Sequence, residues 1–265
     1  MPRRVVIHPG FHKTGTTTIQ GTLRLNRPLL KPYLRSVMKA GLQDCCSSAR
    51  GYSTWRDPIS RNKFYNRFQT ALQGIAPMPK RVLVLSSEEL SGHLPGRDGL
   101  PDYSAALELV HDMTELVAQV MPEAELIYYY STRAAEPWLR SAYWQHVRAS
   151  SMTLDFEDYQ REFEASANLD GVVDAVSDSV DVRVERGRLE DTAGLPAGPA
   201  TSLLDLCDVP RDVQARMQLE TRNANLGPDV LATLLNINRT IHDPDERIAT
   251  KKAILDEAEG NAHDG

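Results

Sequence analysis

Residues 5–18 read VVIHPGFHKTGTTT, and this stretch decides the fold class. It opens with three β-branched residues, as a buried parallel strand does, and Pro9-Gly10 then ends the run. From Thr16 onward the apolar residues recur at a helical period. The stretch therefore predicts a strand, a glycine-containing loop and the start of a helix, in that order.

The rest of the chain repeats this alternation of strands and helices. Further strands are predicted at residues 81–85, 126–130 and 180–184, from short runs of apolar or β-branched residues. Helices are predicted at residues 64–72, 103–120, 137–148, 156–163 and 228–241, and again from about residue 244. Such alternation is typical of a mostly parallel sheet covered by helices on both faces. We therefore expect a three-layer α/β sandwich that residues 1–259 form as one domain, followed by a disordered tail at 260–265.

Two segments lack a clear pattern of strand or helix. Residues 26–45 look helical but are interrupted by Pro28 and Pro32. Residues 46–63 are polar and contain several serines and a glycine, which predicts an irregular and mobile segment.

Composition narrows the class of protein. The 265 residues carry a formal net charge of −6, which argues against binding nucleic acid through bulk electrostatics. Three cysteines, two of them adjacent, give neither a disulfide framework nor a zinc site, and no metal is expected. No apolar run approaches the ~20 residues of a membrane helix, and the N-terminus has no signal-peptide pattern. We expect a cytoplasmic protein whose oligomeric state the sequence does not indicate.

The loop between the first strand and helix has the chemistry of an anion site. Consecutive backbone N–H groups and the helix dipole favour a bound phosphate there, and glycines let it approach closely. Gly10 and Gly15 have the glycine spacing of the nucleotide-binding loop G-x-x-x-x-G-K-[ST], and Thr17 stands at the magnesium-binding hydroxyl. The lysine, however, is Lys13, inside the loop, and a threonine occupies position 16. A nucleoside triphosphate kinase is therefore the weaker interpretation.

The same residues resemble the phosphosulfate loop of sulfotransferases that use 3′-phosphoadenosine 5′-phosphosulfate (PAPS), in which Pro-Lys-Thr-Gly-Thr-Thr follows a strand. His12 replaces the family's usual proline, as in bacterial, carbohydrate-type members. The resemblance implies a P-loop-containing fold and a charge-stabilising role for Lys13 as 3′-phosphoadenosine 5′-phosphate (PAP) departs. The residues that it implies for holding the 5′-phosphosulfate are His12, Lys13, Thr14, Gly15, Thr16, Thr17 and Thr18.

A second pair of residues extends the resemblance to the 3′-phosphate. In the family, this phosphate is held by an arginine just after a strand and by a serine eight residues later. Arg133 and Ser141 reproduce that spacing. A guanidinium and a hydroxyl suit a phosphate dianion, and the 3′-phosphate is what distinguishes PAPS from ATP. Residues 180–190 and Arg222-Asn223 are also similar to the distal part of bacterial members.

A hydroxyl acceptor requires a general base. Glu88 and Glu89 follow the strand at 81–85, at the edge of the sheet where ligands bind in parallel α/β proteins. Carbohydrate-type sulfotransferases carry a glutamate base after a corresponding strand, which makes Glu88 the first choice and Glu89 the second. Both acids would equally suit the first turn of a helix. His8 and His12 compete for the role because histidine titrates near neutral pH.

The resemblance implies transfer of a sulfuryl group from PAPS to a hydroxyl or amine of a carbohydrate or small-molecule acceptor. Two other functions stay open: a P-loop kinase-like enzyme, and a PAP- or nucleotide-binding module without catalysis. Residues 46–68 mix aromatic and basic side chains that could meet an acceptor. A solvated helix with a few buried rings explains these side chains better, so the acceptor is not identified.

Overall fold

The computed structural model of the protein describes residues 1–220 and 227–261 and contains one five-stranded sheet within these ranges. Its five strands are β1 (Arg4–His8), β2 (Leu34–Met38), β3 (Val82–Ser86), β4 (Glu125–Thr132) and β5 (Arg183–Arg188). All neighbouring strands pair in parallel, in the order β2–β3–β1–β4–β5. The opening strand β1 therefore lies at the centre, with Val6 paired to Val84 on one side and to Ile127 on the other.

Helices connect the strands. Within the described ranges the α-helices are α1 (Thr16–Leu25), α2 (Arg27–Leu30), α3 (Gln43–Trp55), α4 (Pro58–Gln73), α5 (Ala105–Val120), α6 (Ala135–Ala149), α7 (Phe156–Phe163), α8 (Leu169–Ser179), α9 (Thr201–Leu206), α10 (Arg211–Gln214), α11 (Gly227–Thr240) and α12 (Pro244–Asn261). None of them is long and apolar enough to cross a membrane. The tail predicted at 260–265 begins inside α12, and residues 262–265 lie outside the described residues, as do Arg222 and Asn223.

Two apolar cores lie on opposite faces of the sheet. Successive side chains of a strand point to opposite faces. Val5 and Ile7 of β1 accordingly join one core, with side chains from α3 to α8 and from α11. Val6 joins the other core, with side chains from α1, α2, α9 and α10. The chain therefore forms the three-layer α/β sandwich that the sequence predicted.

The N-terminal third differs from the sequence prediction in two places. Residues 34–38 form the edge strand β2 rather than part of a helix. Residues 46–63 form most of α3 and the beginning of α4 rather than an irregular segment. Low helix propensity is overcome in α3 because Cys45, Ala49 and Tyr52 bury one face of the helix against the core.

The other edge strand, β5, begins at Arg183, later than the predicted start at residue 180. Its sequence RVERGR has no apolar run, and ion pairs with α8 hold its charged side chains instead. Arg186 pairs with Asp170 and Asp174, and Arg188 pairs with Asp170. The sequence did not predict α8, whose carboxylates make these pairs.

A buried lysine joins the C-terminal helix to the end of α6. The Nζ atom of Lys251, on α12, donates to the carbonyl oxygens of Val147 and Ser150, the latter at 2.8 Å. It also donates to Oδ1 of Asn238 at 2.9 Å. The last carbonyls of a helix lack partners within the helix, so this lysine supplies donors that α6 itself cannot.

Candidate functional site

The loop between β1 and α1 has the backbone of an anion site. Gly10, Lys13 and Gly15 adopt positive φ angles of 56°, 67° and 89°. Left-handed residues of this kind occur in backbone nests that gather N–H groups around an anion. Gly15 is the N-cap of α1, and this helix has neither a side-chain cap nor an acidic residue in its first turn. The positive end of the helix dipole is therefore left for a ligand.

Glycine is favoured at position 15 by the backbone conformation, and the position also has a close neighbour. Its φ of 89° lies in the left-handed region, which side chains with a Cβ atom rarely adopt. A Cβ atom there would also lie 2.8 Å from Cδ1 of Leu189, which follows β5. The proximity of Leu189 to Gly15 shows that the segment after β5 packs directly against the loop.

His8 joins the carboxyl ends of three strands beneath the loop. Its Nδ1 atom lies 3.0 Å from Oγ of Ser86 on β3, and Nε2 lies 3.2 Å from Oγ of Ser131 on β4. Ser131 in turn lies 2.8 Å from the hydroxyl of Thr14, so the loop is tied to the same point. Burial lowers the pKa of His8 to about 3, which keeps the ring neutral. With both ring nitrogens occupied, His8 is suited to holding the site together rather than to accepting a proton from a substrate.

We expect His8 to make the protein less stable as the pH falls. Its folded-state pKa of about 3 lies below the ordinary 6.5, so between these values the unfolded chain binds more protons and the free energy of unfolding decreases towards low pH. The slope for one such group approaches about 1.4 kcal/mol per pH unit. His8→Asn should flatten the decline in urea denaturation between about pH 7 and about pH 4. The same change at the exposed His111 is the control, and equal slopes for His8→Asn and wild type would contradict the expectation.

His12 is fixed on three sides. Its N–H group donates to the hydroxyl of Tyr103 at 3.2 Å, and its ring Nδ1 lies 3.1 Å from the same hydroxyl. Its carbonyl oxygen accepts from Nε1 of Trp138 at 2.8 Å. Burial, followed by the electrostatic effects of the nearby His93 and Lys39, lowers the pKa of His12 to about 3. The tyrosine hydroxyl accepts from the backbone N–H group and can donate to Nδ1; in that arrangement the ring proton is on Nε2, where it can donate to a ligand.

Lys13 and the second predicted anion site lie against one another. Nη1 of Arg133 donates to the carbonyl oxygen of Lys13 at 3.3 Å, and Nζ of Lys13 lies 3.5 Å from Oε1 of Gln145. Gln145 lies one turn after Ser141 on the same face of α6. Burial lowers the pKa of Lys13, and the charges of Arg133 and Arg148 lower it further. The structure thus brings Lys13 and Arg133 together and places Ser141 on the helix face that meets them.

Glu88 and Glu89 have different surroundings. Nε2 of Gln20, on α1, donates to Oε2 of Glu88 and to the carbonyl oxygen of Ser86, both at 3.3 Å. Glu88 is partly exposed, and its negative charge acts on Lys13 in the loop. Glu89 is buried and pairs with Arg50 and, at 2.8 Å, with Lys39. Glu88 therefore belongs to the phosphate loop, whereas Glu89 belongs to a neighbouring group of cations.

A cavity of about 630 Å³ lies beside the loop. One wall is α3, which contributes Arg50 and Trp55, and the other is residues 93–98, which contribute His93 and Asp98. The ring centres of His93 and His12 are 6.3 Å apart, so the cavity is one side chain away from the phosphate loop.

The threonines of the loop divide into two kinds. The hydroxyls of Thr14 and Thr16 donate to the carbonyl oxygen of Phe11, at 2.8 and 3.3 Å, and both side chains are buried. These hydroxyls therefore stabilise the loop, and the backbone N–H groups of the two residues can bind a ligand. Thr17 is exposed and Thr18 half-buried on the first turn of α1.

Sequence reasoning missed several residues that complete the site. Gln145 could have been found, because it lies one helical turn after Ser141. Gln20, Tyr103 and Trp138 meet the loop or Glu88 only through the tertiary fold, and no spacing in the sequence indicates them. The aromatic residues of the segment 46–68 have different surroundings. Trp55 lines the cavity, whereas Tyr52 and Phe64 are buried in the core.

The comparisons with known proteins leave the site to be interpreted from its own chemistry. No protein-family model, characterised protein or solved structure matches this chain.

Proposed function

We propose that this protein is a sulfotransferase that moves the sulfuryl group of PAPS to a hydroxyl of a small-molecule or carbohydrate acceptor. The observation that carries the proposal is the contact between Lys13, inside the phosphate loop, and Arg133, after β4. PAPS carries two anionic groups on one ribose, a 5′-phosphosulfate and a 3′-phosphate. Two adjacent cationic sites fit such a molecule better than they fit ATP, whose phosphates form one continuous chain.

Each residue has a defined part in binding PAPS. The N–H groups of the loop, with the exposed Thr17, hold the 5′-phosphate at the positive end of α1. Arg133 and Ser141 hold the 3′-phosphate. Within the described residues the only hydrogen bond or ion pair seen for the Arg133 guanidinium is that to the Lys13 carbonyl, so further N–H donors remain for a phosphate.

The reaction is a displacement at sulfur. The acceptor oxygen forms a bond to sulfur while the bond from sulfur to the bridging oxygen breaks, and the electron pair of that bond leaves with PAP. The acceptor hydroxyl gives its proton to a carboxylate. Lys13 stabilises the negative charge that develops on the bridging oxygen, as preorganised cations do in phosphoryl transfer.

Glu88 suits the role of base better than Glu89. The Glu89 carboxylate is 8% exposed and its Oε1 atom is paired with two cations, so it is poorly placed to meet an acceptor hydroxyl. Glu88 lies next to the loop and receives a hydrogen bond from the neutral amide of Gln20. This neutral donor orients the Glu88 carboxylate and makes no ion pair with it.

We expect PAP to stabilise the protein without magnesium. A ligand at a hundredfold excess over its Kd adds about 2.7 kcal/mol to the free energy of unfolding, which is readily seen as a rise in Tm. AMP, which lacks the 3′-phosphate, should give a much smaller rise. Equal rises with AMP and PAP would remove the support for a 3′-phosphate site. A larger rise with ATP and magnesium than with PAP would favour the kinase-like enzyme instead.

Two substitutions, measured by the same rise in Tm, test whether Arg133 and Ser141 bind the 3′-phosphate. Arg133→Ala should weaken PAP binding by on the order of 1.5–3 kcal/mol, roughly tenfold or more in Kd, and Ser141→Ala by less. Neither change should weaken AMP binding to the same extent. Arg140→Ala is the matched control, because Arg140 lies on α6 but pairs with Glu136 at the surface.

A further inference from the structure

The cavity beside the phosphate loop has the size and the polarity of a small-molecule site. Its volume of about 630 Å³ lies within the range of ordinary ligand pockets. Most of its lining side chains are polar or charged: Ser47, Arg50, Thr54, His93 and Asp98. A pocket with this lining does not suit an acceptor that is apolar throughout, because buried polar groups would lose their hydrogen bonds with water.

His93 presents a hydrogen-bond donor to the cavity. Its Nδ1 atom accepts from the N–H group of Leu94 at 3.0 Å, and this bond requires the ring proton to be on Nε2. Its own N–H group donates to Oγ of Ser53 at 2.9 Å, which fixes the residue against α3. Burial, together with the charges of Arg50 and Arg97, lowers the pKa of His93. With Nδ1 occupied by the Leu94 N–H group, the Nε2–H group is the one that His93 can offer to an oxygen of a ligand.

Arg50 brings a positive charge that its partner does not cancel. Arg50 and Lys39 share the single carboxylate of Glu89, through its Oε1 atom. Glu89 is buried behind them, whereas the Arg50 side chain is 32% exposed and lines the cavity. Two cations on one carboxylate leave this group with a net positive charge, and Asp98 carries a negative charge on the facing wall of the cavity. A buried carboxylate also fixes the guanidinium in position, as a preorganised binding group requires.

Trp55 provides the remaining recognition element. Its side chain is 74% exposed although it lines the cavity, so the indole ring can lie against a sugar or aromatic ring. Asp98 and the hydroxyls of Ser47 and Thr54 can bind the hydroxyl groups of such a ring.

We propose that this cavity binds the acceptor, and that Arg50 and His93 select a hydroxylated ring compound that carries an anionic group. That the bound molecule is a sulfuryl acceptor rests on the proposed function, but the preference of the cavity for an anion does not. Arg50 binds the carboxylate or phosphate, His93 donates to an oxygen of the same molecule, and Trp55 covers the ring.

Matched pairs of neutral and anionic probes test this selection. Calorimetry in the presence of saturating PAP compares glucose with glucuronate, glucose with glucose 6-phosphate, and phenol with 4-hydroxybenzoate. We expect at least one anionic probe to bind roughly tenfold or more tightly than its neutral partner, as a charge-assisted contact with Arg50 would give. The pair that shows the preference identifies carboxylate or phosphate. Equal binding within all three pairs would overturn the proposal.

Variants assign the preference to Arg50. Arg50→Gln should abolish it, and Arg67→Gln should not, because Arg67 lies on α4 and donates to a backbone carbonyl outside the cavity. In the single variant, the buried Glu89 carboxylate loses one of its two cationic partners. The double variant Arg50→Gln, Glu89→Gln removes this carboxylate as well, and so avoids that effect. It should abolish the preference too. An anion preference that survives in both Arg50 variants would contradict the assignment.

The rise in Tm with PAP separates this inference from the proposed function. A protein that binds PAP but shows no anion preference retains the proposed function and loses the acceptor selection. A protein that shows the preference, lost in Arg50→Gln, but does not bind PAP retains the anion site and loses the sulfotransferase proposal.

Discussion

Replacing Lys13 with alanine should reduce kcat for sulfate transfer from PAPS by on the order of a hundredfold or more. The lysine stabilises charge that appears only as the bridging oxygen leaves, and an interaction stronger in the transition state than in the ground state acts on turnover more than on binding. PAP affinity should fall less, because the loop N–H groups remain. Lysine and alanine both carry a Cβ atom, so the φ of 67° at this position costs about the same for either residue and the loop need not rearrange.

The measurement is transfer of labelled sulfate from PAPS to the acceptor that binds best to the cavity. Lys31→Ala is the control, because Lys31 is exposed at the end of α2 and away from the loop. An undiminished kcat in Lys13→Ala would end the sulfotransferase interpretation. A fall in PAP affinity as large as the fall in kcat would instead show that Lys13 contributes to ground-state binding.

Glu88→Gln should lower transfer to a hydroxyl acceptor by roughly a hundred- to ten-thousandfold, the usual contribution of a general base. Glutamine keeps the size of the side chain, so PAP should bind as it does to wild type. The acidic limb of the pH–rate profile, which reports protonation of the base, should disappear with the carboxylate. Labelled-sulfate transfer across a range of pH measures both effects.

Glu89→Gln separates the two adjacent acids. Glu89 holds Arg50 and Lys39, so its loss should weaken acceptor binding and leave the acidic limb in place. Full activity in Glu88→Gln would move the base to Glu89 or to a histidine. A wild-type protein that binds PAP and transfers no sulfate to any bound acceptor would favour the non-catalytic binding module.

The central strands were predictable because they are buried on both faces. A strand that is covered on both sides needs a nearly continuous apolar run, and β1, β3 and β4 each have one. The edge strands were not predictable in the same way. Residues of β2 are mostly half-buried, and β5 is held by ion pairs to α8, so neither strand carries an apolar run.

The site was predictable where its parts are local in sequence. The loop from Gly10 to Thr18 carries its chemistry in consecutive residues, and the eight-residue interval from Arg133 to Ser141 lies at the start of one helix. The spacing alone does not establish that Arg133 meets Lys13, because that contact spans 120 residues. The cavity was not predictable either, because α3 and residues 93–98 are distant in sequence and meet only in the folded chain.

The lysine that joins α12 to α6 has a consequence for synthesis on the ribosome. Lys251 follows Val147 by 104 residues, and ribosomes add about 5–20 residues per second. The end of α6 therefore waits on the order of 5–20 seconds for its last hydrogen-bond donor. During that interval the helix that carries Ser141 and Gln145 depends on Trp138, Leu139 and Ala142, which face the apolar core. A nascent chain that stops just before residue 251 would lack the lysine donor to the carbonyl of Ser150, whereas Asn238 and Arg97 would still donate to the carbonyls of Val147 and Ala149.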